Sequence, residues 1–297
     1  MTAAAPEPIP VVVIGGYLGA GKTTLINHLL RHAGGRRIAV LVNDFGEINI
    51  DADLIEGAEG GVLSLAGGCV CCAFGADLMG ALDDLRDLDP RPDMVLIETS
   101  GVGLPGAVAR SVGLASGLTA IGVAVVADAE TLRARAADRY VGDTVLTQLR
   151  DADLLLLSKT DLAGEAETAA VRVWLAGVAP RAAVVTTDHG RAPPDLVLGP
   201  REAPPAALAE GAVVAETHAH FRTGVRRFSD PVDVAALAAE LTAPGSQIVR
   251  AKGAVTDLDG TRKLLQVVGR RAAVTARADD PRTEGLIVWI AVDPHPH

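Results

Sequence analysis

The chain has 297 residues, of which 49% are hydrophobic, 22% charged and 3% aromatic. That length suits two domains, and the composition is that of an ordinary globular protein whose cores are built from Val, Leu, Ile and Ala. A formal net charge of −10 speaks against a nucleic-acid partner, and three cysteines crowded into positions 69–72 cannot build a disulfide framework. Residues 1–10 carry neither a positive n-region nor a long apolar stretch, and no run is long and uncharged enough to span a membrane. A cytoplasmic location is therefore expected.

A short Ala/Pro tail over 1–8 leads into a continuous β-branched run at 9–14, the pattern of a strand covered on both faces. A helix is expected over 23–31, a second buried strand over 37–43 and a helix over 76–86. Strands follow at 94–98, 121–127, 153–158 and 183–187, with a helix over 165–176 before the last of them. Strands alternating with helices imply a doubly wound α/β domain with a mostly parallel sheet, the P-loop NTPase class. Residues 192–206 hold Pro193, Pro194, Pro200, Pro204 and Pro205 and read as a linker or edge loop. Beyond it strands are expected at 212–221, 225–228, 246–255, 263–268, 272–276 and 285–292, with a helix over 232–241. The expected organisation is thus an α/β domain over 9–205 and a smaller α+β domain over 206–297.

Gly16-Tyr-Leu-Gly19-Ala20-Gly21-Lys22-Thr23 fits GxxxxGK[ST] between a strand and a helix, the setting a phosphate loop requires. Glycines let backbone N–H groups close around phosphate oxygens, and the helix start adds positive potential. Lys22 is placed for the terminal phosphates and the Thr23 hydroxyl for magnesium. The chain has four lysines, at 22, 159, 252 and 263, and two of them fall in nucleotide motifs, where a compact point charge serves. MVLIETSG at 94–101 delivers Glu98 at the carboxyl end of an apolar strand, suited to hold magnesium through water, and then Gly101, whose N–H suits a γ-phosphate. LLLLSKTD at 154–161 is close to the [NT]KxD of GTPases. Asp161 can accept two hydrogen bonds from guanine, the Lys159 stem can pack on the base, and Ser158 stands where an Asn is usual. A surface glutamate ending a strand, and a polar turn capped by Asp161, are the competing readings of these two motifs.

Cys69-Val-Cys71-Cys72 follows Gly67 and Gly68 and offers three thiolates within one turn. Soft thiolates select zinc, copper(I) or cobalt, and three ligands leave a fourth position open for transfer. Buried apolar thiols, and a two-thiolate site completed by an acid, stay open as alternatives. Asp44 and Glu47 leave the second expected strand and could meet magnesium, water or the transition metal, or lie solvated. His218 and His220 share one face of an expected strand and are either ligands or exposed polar residues. His28 and His32 read as helix surface, His295 and His297 as tail, and His189 sits in a loop suited to base contact or metal.

Taken in order, GYLGAGKTT from Gly16 to Thr24, VNDFGEINID from Val42 to Asp51, GGCVCC from Gly67 to Cys72, ETSG from Glu98 to Gly101 and Gln148 with SKTD resemble the CobW-type metal-chaperone GTPases, relatives of the nickel-loading GTPases. The later FRTGVRRF and IVRAKG segments extend the resemblance over nearly the whole chain. It implies a GTPase domain plus a C-terminal domain, magnesium-GTP, Lys22 and Thr23 on phosphate and magnesium, Asp161 on guanine, and a transition metal on Cys69, Cys71 and Cys72. The full set of nucleotide candidates is Gly16, Gly19, Ala20, Gly21, Lys22, Thr23, Thr24, Lys159, Asp161 and His189, with Lys22, Thr23, Glu98 and Gly101 for catalysis and Thr23, Asp44 and Glu98 for magnesium. Departures are Ser158, Gly103-Leu104 where the family has an Ala and then an acid, and the lack of a His-rich loop. The expectation is a slow GTPase that carries zinc, or secondarily cobalt, to a client metalloprotein or metal-dependent enzyme, with no nucleic-acid or membrane partner and homo-oligomerisation left open. A metal-sensing regulator without transfer and a P-loop small-molecule kinase are the alternatives.

Overall fold

The computed structural model describes residues 7–42, 64–66, 76–188, 190–200, 221–277 and 284–292. The chain divides into two compact units, Met1–Ala192 and Pro193–His297. The boundary expected after residue 205 falls among residues outside this description.

The first unit is built on β1 (Ile9–Gly15), β2 (Ile38–Val42), β3 (Ser64–Ala66), β4 (Met94–Glu98), β5 (Leu118–Asp128), β6 (Leu154–Ser158) and β7 (Ala183–Thr186). They form one sheet in the order β3-β2-β4-β1-β5-β6-β7, and every neighbouring pair is parallel. All five residues of β2, β4 and β6 are buried, which is why these strands read as unbroken apolar runs. The helices are α1 (Lys22–Arg31), α2 (Ala76–Arg86), α3 (Pro105–Val112), α4 (Leu132–Ala136), α5 (Gly142–Asp151) and α6 (Thr160–Val178).

The step from β1 to β2 crosses the sheet in one direction, and the steps from β3 onward cross it in the other. Right-handed crossovers then set α1 on the face opposite α2, α3, α5 and α6. On that second face Val11, Leu41, Val95 and Ile97 pack with Leu82 and Leu85 of α2, and Val13, Val125 and Leu157 pack with Leu149 of α5 and Leu175 of α6. Each fully buried Leu there contributes about 1.5–3 kcal/mol from surface removed from water. At the far end of the sheet, the Arg37 guanidinium donates to Asp93 at 2.9 Å and holds its carboxyl below the usual carboxylate range. This pins the starts of β2 and β4 together.

Two details differ from the sequence expectation. Helix α6 begins at Thr160, earlier than 165, with non-helical backbone at Gly164 (φ 76°, ψ 167°) marking the join. Residues 192–206 are not simply a linker, because Pro194–Leu198 forms a helix, α7, with Leu196, Val197 and Leu198 all buried. Prolines at a helix start leave no hydrogen bond unmade, so a proline pair can open a helix as readily as a loop. Within the second unit the buried Arg250 donates from Nε to the Leu196 carbonyl at 2.6 Å and from Nη2 to the Val197 carbonyl.

The rest of the second unit is β8 (Phe221–Phe228), α8 (Val234–Thr242), β9 (Ile248–Thr256), β10 (Arg262–Val268), β11 (Arg271–Ala276) and β12 (Gly285–Val292). The strands make one sheet in the order β11-β10-β9-β12-β8, antiparallel throughout. Asp233 caps α8 by accepting from the Ala236 N–H at 2.9 Å. Val234, Leu237 and Leu241 then close one sheet face against Val255, Leu265 and Ile287. The expected strand at 212–221 lies outside the described residues apart from Phe221.

Candidate functional site

The carboxyl ends of parallel strands share one edge of the sheet, and every chemistry-bearing segment leaves from that edge. Strand β1 runs into Gly16, whose φ is 138°. A Cβ there would sit 2.3 Å from the Val126 carbonyl oxygen of β5, so only glycine lets the loop turn away. Gly21 is the left-handed N-cap of α1 (φ 105°), with no side chain capping the helix and no acid in its first turn. An uncapped N-terminus of this kind presents N–H groups and positive potential to an anion. Lys22 opens α1 and is only 7% exposed. Thr24 packs against Gly190, where a Cβ would come within 3.1 Å of its methyl.

Glu98, 1% exposed, ends β4 beside β1, and the Thr23 hydroxyl donates to its Oε1 at 3.3 Å. Burial of the acid and its bond to the loop threonine set aside the reading of a surface glutamate. Thr99 continues the ladder through its N–H to the Ile14 carbonyl at 2.9 Å. The buried Ser100 hydroxyl has no hydrogen-bond partner among the described residues. The chain then curls, with the Gly103 N–H donating back to the Ser100 carbonyl at 2.9 Å. A Cβ on Gly101 would fall 2.8 Å from the Leu18 nitrogen, so the two loops touch backbone to backbone. Leu104 is the N-cap of α3 and makes no side-chain cap. Asp151 of α5 supplies an acceptor instead, taking the Gly106 N–H on Oδ2 at 3.1 Å.

At the SKTD segment the Ser158 hydroxyl donates to the Ala20 carbonyl of the phosphate loop at 2.8 Å. The smaller residue therefore still ties this strand end to that loop. Lys159 has φ 55° and is the only non-glycine residue with positive φ among those described. Its Nζ lies 2.8 Å from Asp128 Oδ2 at the end of β5, a partner the sequence did not signal. The N-cap of α6 is Lys159, with no side-chain cap bond, and Asp161 is exposed in the first turn. Asp161 is thus not the cap its competing reading required.

Cys69, Cys71, Cys72, Asp44, Glu47, His189, His218, His220, His295 and His297 lie outside the described residues. Flanking His189, the Arg191 N–H donates to the Asp188 carbonyl at 2.7 Å, and Gly190 sits on α1 as noted. His28 Nε2 is 3.0 Å from the Ala192 carbonyl, and the His28 and His32 rings are 4.4 Å apart. Among the described residues no group of three or more His, Cys, Asp or Glu could hold a metal ion, and no helix is long and apolar enough to cross a membrane. The phosphate loop, Glu98 and Asp161 all lie at or just past the carboxyl ends of strands on one edge of the sheet. Sequence reasoning gave no role to Asp128, Asp151 or Leu18, whose contacts bridge distant positions.

A parallel sheet whose central strand turns through glycines into a lysine-led helix, with an acid from the neighbouring strand bonded to the helix threonine, defines a P-loop nucleotide-binding protein. Residues 10–186 match the family described as CobW/HypB/UreG, nucleotide-binding domain, and the chain belongs to that family. It is 34% identical over 192 residues to the zinc chaperone CobW of Sinorhizobium sp, covering 55% of this chain and 54% of that protein. To the zinc chaperone YjiA of Escherichia coli (strain K12) it is 38% identical over 206 residues, covering 65% and 60%. To the zinc-regulated GTPase metalloprotein activator 1 of Schizosaccharomyces pombe it is 31% identical over 195 residues, covering 62% and 47%. These alignments therefore take in less than two thirds of each relative's own length.

Proposed function

We propose that this chain hydrolyses GTP and couples that step to binding and releasing zinc on the 69–72 cysteine run for delivery to a metalloprotein client. The observation that carries the reading is the register of the sheet edge. Ala66 pairs with Val42, Val42 with Glu98, and Glu98 with Ile14. Adjacent strands lie about 4.8 Å apart, so the chain leaves β3 roughly 10 Å from Glu98 and heads into Gly67, Gly68 and the cysteines. A rearrangement at the terminal phosphate thus has a short path to the end of β3, from which the sequence runs on to the cysteines, as in switches ordered by a γ-phosphate. The names of the relatives, zinc chaperones and a metalloprotein activator, support zinc ahead of cobalt and a metalloprotein as client.

In this reading the amides around Gly16, Gly19, Ala20, Gly21 and Thr24 cradle phosphate, and Lys22 neutralises its terminal charge. Asp161 accepts from guanine while Lys159, and His189 beyond the described residues, border the base. Gly101 offers its N–H to the γ-phosphate. Thr23 and Glu98 are a hard, oxygen-only pair that fits magnesium, with Asp44 as the further candidate. When bound, that ion would neutralise charge on the phosphates. The phosphate-loop, VNDFGEINID, ETSG and SKTD segments contain no arginine that could stabilise developing charge, so intrinsic turnover is expected to be slow. Solvated carboxylates attract zinc less than thiolates do, which leaves the cysteines as the cargo site.

The test is zinc affinity of the full chain, measured by competition with a chromophoric chelator in the presence of a GTP analogue and of GDP. Affinities differing by 5-fold or more, roughly 1 kcal/mol of coupling, are expected. Equal affinities would remove the coupling and leave a nucleotide-binding protein that holds metal independently.

A further inference from the structure

Helix α5 reaches the loop after Glu98 with two side chains on one face. Gln148 is 1% exposed, and its Nε2 donates to the Gly101 carbonyl at 3.1 Å and to the Gly103 carbonyl at 2.8 Å. Asp151, three residues on, holds the Gly106 N–H as described above. A helix places residues three apart side by side, so one short stretch grips the loop at its crest and at its exit. The amide matters chemically. A primary amide carries two N–H donors, and here both go to carbonyls of a loop that has no regular ladder of its own. Gly101 and Gly103 lack Cβ atoms and would otherwise sample wide backbone space.

We propose that Gln148 is a positioning residue for hydrolysis. By fixing the Gly101 and Gly103 carbonyls it holds both ends of the turn in which the Gly103 N–H donates to the Ser100 carbonyl, and that bond sets the Ser100–Gly101 peptide plane whose N–H is turned to the terminal phosphate, while Asp151 anchors the exit of the loop. This role rests on the reading of Gly101 given under Proposed function. GDP has no phosphate at that position, so the contribution of Gln148 belongs to GTP and to turnover and not to nucleotide binding in general. A carboxylate of the same size has no donor and would set negative charge against two carbonyl oxygens, so the function demands the amide.

The experiment uses the full chain. Single-turnover hydrolysis at saturating magnesium-GTP is measured for wild type, Gln148→Ala, Gln148→Glu and Asp151→Asn, beside the affinities for GDP and for a non-hydrolysable GTP analogue. For Gln148→Ala the rate is expected to fall between about 10-fold and 100-fold, the scale of a small misplacement of a catalytic contact. Analogue affinity should drop several-fold while GDP affinity stays within about twofold, with Gln148→Glu at least as impaired. Asp151→Asn keeps an acceptor oxygen and should lose less than about threefold. If Gln148→Ala does not fold, Gln148→Asn, which retains the amide one methylene short, should show the same selective loss. Wild-type chain without GTP turnover would sink the hydrolysis reading and this role with it. Wild-type turnover with a Gln148→Ala rate within twofold, or GDP and analogue affinities falling equally, would overturn the positioning role alone.

Discussion

The two ends of the nucleotide cleft are made differently. At the phosphate end the polar groups are interior: Lys22, Glu98, Ser100, Gln148 and Ser158 are all buried, with Gln148 and Ser158 donating to loop carbonyls and Glu98 accepting from the Thr23 hydroxyl. At the end proposed to meet the base Asp161 is exposed, and Lys159 is half-open and tied to Asp128. Buried polar groups must be satisfied or they destabilise the fold, so the phosphate end is rigid because folding itself demands it. The base end carries no such demand and is free to serve recognition. Changes at the first should damage stability together with binding or turnover, while changes at the second should alter selectivity alone.

Three substitutions probe that contrast, taken from the most to the least damaging. Gly16→Ala drives a Cβ into the Val126 carbonyl of β5 and forces an alanine to φ 138°. A loss of about 3 kcal/mol or more is expected by urea denaturation, with nucleotide binding lost as well. Asp161→Ala should lower the preference for GDP over ADP by roughly 100-fold, while the unfolding free energy moves by no more than about 0.5 kcal/mol. Titrating both nucleotides against wild type and variant checks it, and a large fall in stability would show that the two ends are not separable. Ser158→Ala sits on the border between them. Losing the donor to the Ala20 carbonyl should cost about 1 kcal/mol of unfolding free energy by urea denaturation, with GDP affinity lowered by less than about 10-fold, read by fluorescent-GDP titration.

What could be read from the sequence follows the same line. The parallel sheet, the phosphate loop and Glu98 were legible because each depends on a contiguous apolar run or on glycines at fixed spacing. The three-residue β3 gave no period to detect. The grip of α5 was invisible because Gln148 and Asp151 act across separations of 45 to 47 residues, and nothing local marks which loop a helix face will meet. Leu104 illustrates the limit further. Read against its family the position lacks an expected acid, yet the acceptor for α3 comes from Asp151 on another helix. The proline-rich stretch misled for a different reason, since proline signals a break in hydrogen bonding and both a loop and a helix start provide one.

Arg250 sets a practical bound on dissecting this protein. The residue is 3% exposed, and its guanidinium donates hydrogen bonds to the carbonyls of Leu196 and Val197, upstream of the residue where sequence reading would cut. A fragment begun at 206 would deprive a desolvated cation of two acceptors and would be a poor candidate for expression or crystallisation. One begun at Pro193 carries its own plug.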